Sequence, residues 1–133
     1  VFLRDWQTES TILISAPYAG LQANNGSSNA VISGNGAFVT FVSEAANLVA
    51  GDSNGVADTF VRDLQTSTTE RVSIASDGTE ANGPSLSSCI SSNGVFVAFA
   101  SAADNLVSGD TNGEQDIFLR GKSAFGFLPL VLK

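Results

Sequence analysis

Histidine and methionine are absent from this 133-residue chain, cysteine and tryptophan occur once each, and lysine appears only as Lys122 and Lys133. Without histidine the chain lacks the commonest general base and the commonest ligand for zinc, copper or iron. Its many serines therefore have no Ser-His-Asp arrangement to join. The lone Cys89 excludes an intrachain disulfide, and as the counterpart of Val31 in a repeat described below it is expected to be a small buried hydrophobe. Positive charge is scarce: 6 Lys and Arg stand against 13 Asp and Glu, a net charge of −7. That balance argues against nucleic acid or an anionic membrane as partner, since either would attract a basic surface. The longest apolar run, at the C-terminus, is too short to span a bilayer. Lacking methionine and starting at Val1, the sequence reads as processed or truncated. Its richness in Ser, Thr, Asn and Gly points to an extracellular or cell-surface location, where the sequon Asn25-Gly26-Ser27 would be a glycosylation acceptor.

What the chain does have is a repeat. Asn47 maps onto Asn105, a shift of 58 positions, and the same shift maps Asp52 onto Asp110, Ser33 onto Ser91 and Phe2-Leu3-Arg4-Asp5 onto Phe60-Val61-Arg62-Asp63. No gap is needed. A period of this length with strand-like content is the mark of stacked supersecondary units.

Each unit reads as four strands. Ala30 to Ser33 is followed by the turn Gly34-Asn35-Gly36, then Ala37 to Val42, Thr59 to Asp63 and Thr69 to Ile74. Asn-Gly favours a tight hairpin. The second strand is apolar on both faces and must be covered on both sides. The fourth carries Glu70 and Arg71, as an exposed outer strand would. An all-β chain of four-stranded antiparallel, propeller-type blades is the expected fold, about two and a half of them. Residues 1–26 form the last two strands of a partial blade with its connection, 27–75 a complete blade, 76–121 three strands of the next, and 122–133 an apolar tail that supplies a possible extra strand.

The stretch ISGNGAFVTFVSEAANLVAGDSNGVADTFVRDLQTSTTERVSI, from Ile32 to Ile74, resembles the repeat of TolB-like β-propellers, in particular the long blades of the bacterial exported group. The likeness runs from Val1 to about Gly121 and appears twice, with Asn35 and Asn93 in place of the family's usual turn Asp. The resemblance implies a propeller fold, a surface or periplasmic habitat and binding to other macromolecules; fold alone fixes no function.

Two and a half blades do not close a ring, so assembly is expected. Three chains would make a six-bladed ring, and a non-closing arrangement would make a filament. Ile12 and Leu13 replace the Glu70 and Arg71 of the next copy, leaving an apolar outer strand that calls for cover. The expected interface between copies is Phe2, Ile12, Leu13 and Ile14 at one end and Phe125, Phe127, Leu128, Leu130, Val131 and Leu132 at the other, by strand exchange. The tail could instead complete its own blade. The alternative reading is the C-terminal fragment of a larger propeller that binds a protein or glycan.

Chemistry has few candidates. No residue qualifies as catalytic, and the repeated carboxylates read as architecture; a carboxylate hydrolase is the least supported reading. Asp52-x-Asn54-Gly55-x-x-Asp58 recurs as Asp110-x-Asn112-Gly113-x-x-Asp116, and these oxygens suit calcium, the one possible cofactor. The motif resembles the latter part of D-x-D-x-D-G-x-x-D loops in calcium-binding blades, but the first ligand position falls on Ala50 and Ser108. The same residues also make a turn, with Asp52 bonding backbone amides and Asp58, on one strand face with Arg62, pairing there or with a neighbour.

Overall fold

The structure is a computed structural model that describes residues 1–20, 22–123 and 126–128, with Ser123 and 126–128 described by their backbone. The described residues are all-β, without helix. Strands β1 (Phe2–Asp5) and β2 (Ser10–Leu13) form a two-stranded sheet. Strands β3 (Ser27–Ile32), β4 (Phe38–Ser43), β5 (Asp58–Asp63) and β6 (Thr68–Arg71) follow in that order across a four-stranded sheet. A second such sheet has β7 (Ser85–Ile90), β8 (Phe96–Ser101), β9 (Asp116–Ser123) and β10 (Gly126–Leu128). All pairings are antiparallel, and no sheet closes on itself.

The tail supplies its own sheet's fourth strand. Phe127 pairs with Lys122 and Leu128 with Gly121, so the second unit extends past the boundary at 121 drawn from the sequence. Phe125, Leu130, Val131 and Leu132 lie outside the described residues.

Alternation explains the packing. Val39 and Phe41 of β4 face one way, Thr40 and Val42 the other, and all four are buried. One core, with Ile14, Val39, Phe41, Leu48 and Phe60, joins the β1–β2 hairpin to the first four-stranded sheet. A second, with Val61, Val72, Val97, Phe99 and Phe118, joins that sheet to the next. The Phe41 and Phe60 rings stack at 5.7 Å, and their counterparts Phe99 and Phe118 at 5.6 Å. Burying each such ring contributes roughly 1.5–3 kcal/mol.

The turns between first and second strands repeat atom for atom. Asn35 Oδ1 accepts from the Ser33 hydroxyl and the Ala37 amide; Asn93 accepts from Ser91 and Val95. The two turns also bond to each other: the Asn35 amide donates to the Ser92 carbonyl at 2.8 Å, and Asn35 Nδ2 to the Asn93 carbonyl at 3.2 Å. Beside them Lys122 Nζ lies 4.0 Å above the Phe38 ring and 3.4 Å from Asp63.

Asparagines latch the connections. Asn47 accepts from the Asn24 amide and donates to the Gln22 carbonyl, while Asn24 accepts from the Ala46 amide. Asn82 and Asn105 repeat the arrangement. One expectation fails: Cys89 is exposed, because β7 is an edge strand whose outward side chains no neighbouring element covers among the described residues.

Candidate functional site

The Asp/Asn/Gly segment between β4 and β5 bends through Gly51 and Gly55, both at positive φ. Asn54 closes it: its Oδ1 accepts from the Val56 amide, and its Nδ2 donates to Asp58 at 2.8 Å and to the Ala81 carbonyl at 3.0 Å. Asp58 opens β5 and is 0 % exposed. Its carboxylate takes the Ser73 hydroxyl on one oxygen and Asn54 with Arg71 on the other.

Arg71, at the end of β6, is the centre of this cluster. Its Nη1 lies 3.0 Å from Asp52, 3.3 Å from Asp58 and 2.8 Å from Glu80. Asp58 therefore pairs with Arg71, across the sheet, and Arg62 donates to Thr69 instead. Burial pushes the Asp58 and Asp52 carboxyls up; hydrogen bonds from Ser73 and Asn54, with Arg71, pull Asp58 the other way, and Arg71 alone does so for Asp52. Glu80, at the rim, is drawn down to about 2, chiefly by hydrogen bonds from the Ser53 hydroxyl and amide, with Arg71 adding to the effect.

This donor set is already served by a cation of the chain's own. The Asn54 side-chain oxygen is committed to the Val56 amide, and Arg71 sits where Asp52, Asp58 and Glu80 converge. Calcium does not fit the first loop as folded, since it would have to displace the guanidinium. In the second loop Asn112 donates to Asp116 at 3.0 Å and accepts from the Glu114 amide, the same turn geometry. Among the described residues no group of three or more His, Cys, Asp or Glu is arranged to hold a metal.

The expected interface residues divide. Phe2 is 72 % exposed, whereas its counterparts Phe60 and Phe118 are both 0 % exposed. The difference has a simple cause: Phe60 and Phe118 stack on Phe41 and Phe99 of a neighbouring strand, and β1 has no such neighbour among the described residues. Ile12 and Leu13 are exposed too. Ile14 is not; it is buried in the core against the first four-stranded sheet, so it serves the chain's own packing. The backbones of Phe127 and Leu128 pair with β9 at home.

Two features carry no announcement in the sequence pattern. Arg71 reads as a surface charge on an outer strand, and only Glu80, in the next connection, completes its surroundings. The second is a cleft of about 640 Å³ between the four-stranded sheets, with Asn25, Glu44, Pro84 and Leu86 on its walls. No family model, curated protein or solved structure matches this chain.

Proposed function

We propose that this chain is a non-enzymatic, extracellular structural protein whose units are propeller-type blades of the TolB-like kind its repeat resembles. Copies assemble into a ring or filament through the β1–β2 hairpin. The observation that carries this reading is Phe2, 72 % exposed at a position that is fully buried in both other copies. Exposure of a large ring in such a position is a liability that association relieves.

The contrast among edge strands supports the same conclusion. β3 and β7 are also edges, but each carries a register shift, between Ser28 and Val31 and between Ser85 and Ser87, while β6, an unshifted edge, exposes only Thr68 and the charged Glu70. Bulges of this kind discourage pairing with another chain. The β1–β2 ladder has no such shift, and its exposed side chains include Phe2, Ile12 and Leu13.

Size-exclusion chromatography with light scattering over a range of concentrations tests the reading. Oligomers of the unaltered chain, lost in Phe2→Glu, are the expected result; a monomer at every concentration overturns it. A second reading, a binding module for a protein or glycan segment, is favoured by the cleft between the sheets, where Asn25 and Glu44 stand beside apolar Pro84 and Leu86. It predicts that Glu44→Ala changes ligand retention without changing oligomer size.

A further inference from the structure

We infer that the open face of the second four-stranded sheet is the seat for the β1–β2 hairpin of a second copy of this chain, stacked head to tail. The inference rests on the self-assembly reading and names both of the surfaces involved.

Within one chain the same packing step is taken twice. The hairpin lies against the first sheet, and the first sheet lies against the second. The first sheet receives its neighbour with Thr59 and Val61, which are 0 % and 3 % exposed. Their counterparts on the second sheet are Ile117 and Leu119, adjacent outward positions of β9, and Ile117 is 59 % exposed. The receiving face is therefore repeated with more apolar surface, and nothing among the described residues covers it.

The incoming surface is repeated as well. Phe118 is the ring that the second sheet presses toward Val61 in the shared core. Phe2 is its counterpart on the hairpin, and one further step places a second copy's Phe2 against Leu119. Lys122 lies 4.0 Å above the Phe38 ring. The same step puts Trp6, the counterpart of Lys122, above Phe96, the counterpart of Phe38. Trp6 is 84 % exposed and Phe96 41 % exposed, so both rings are accessible for that contact. An aromatic pair replaces a cation over a ring. The two surfaces differ, so the contact is heterologous and each copy retains one of each to offer.

Trp6 is the only tryptophan and reports on this contact without any substitution. As concentration rises and light scattering shows growth, its emission should move to shorter wavelength and its quenching by acrylamide should fall severalfold. Ile117→Glu and Phe2→Glu, both at exposed positions, should each be monomeric alone with unchanged circular dichroism. Mixed, they should form one dimer, since the first keeps a working hairpin and the second a working face. Full-size oligomers in Ile117→Glu, or a Trp6 still fully quenchable in the assembled wild type, would overturn this seat while leaving self-assembly standing. A wild type that is monomeric throughout overturns both.

Discussion

Phe38 of the first four-stranded sheet lies so close to Gly94 of the second that a Cβ at residue 94 would come within 2.2 Å of the ring. Gly94 also has a φ of +73°. Its counterpart Gly36 has nearly the same φ, +69°, with open space around the missing Cβ. The pair therefore separates backbone strain from contact between sheets. Gly36→Ala should cost about 1 kcal/mol, the left-handed penalty alone. Gly94→Ala should cost about 2–4 kcal/mol, because overpacking adds to it. Urea denaturation of the two variants measures the difference, and equal costs would refute the close approach.

Arg71 holds three carboxylates, one of them fully buried. Arg71→Leu restores the residue found at the equivalent position 13 but strands Asp58 and Asp52. A loss of about 3 kcal/mol at neutral pH is expected, as for a buried ion pair deprived of one partner. The deficit should shrink on acidification, since protonation removes the stranded charges. A deficit independent of pH would show that Arg71 acts by packing alone.

Glu80 sets a second pH dependence. Its folded value, about 2, lies below the ordinary 4.5, so its contribution is fully present above pH 4.5 and is lost as pH falls from there toward 2. Asp52 and Asp58 are raised by burial, and their protonation favours the folded state, which blunts the acid loss. Ser53→Ala removes the largest cause of the Glu80 shift, so the Glu80 carboxyl followed by NMR should titrate closer to 4.5.

For calcium the expected outcome is no response. With Arg71 in place, the melting temperature should be the same in excess chelator and in millimolar calcium. A rise on adding calcium, reversed by chelation, would mean that the guanidinium can be displaced.

Much of the fold was legible because its period is long and gapless. The first three strands of each unit, the burial of β4 on both faces and the hairpin at Asn35 all follow from local patterns that the second copy repeats, whereas Gly126–Leu128 shares no residue with Thr68–Glu70. Arg71 was not legible. A charge on an outer strand looks solvated until the connection brings Glu80 against it, and that is a tertiary fact. Cys89 misled for a related reason: a small apolar residue in a strand implies burial only if something covers that strand, and β7 is an edge. Ile14 differs from Leu13 by strand alternation, and from Ile12, on its own side, by standing just past the end of β2 where the first four-stranded sheet covers it. The aromatic pair of Trp6 and Phe96 emerges only when the repeat is carried from sequence into space.

The hydrogen bonds from Asn35 to Ser92 and Asn93 join a turn to its own copy 58 residues on, rather than to a dissimilar partner. Such a joint is indifferent to how many units it links. Inserting or removing one whole period demands no new complementary surface, so a gene encoding this repeat can lengthen or shorten by unequal exchange and still yield a chain that folds. Length in such a lineage is then free to vary much faster than the residues of the joint itself.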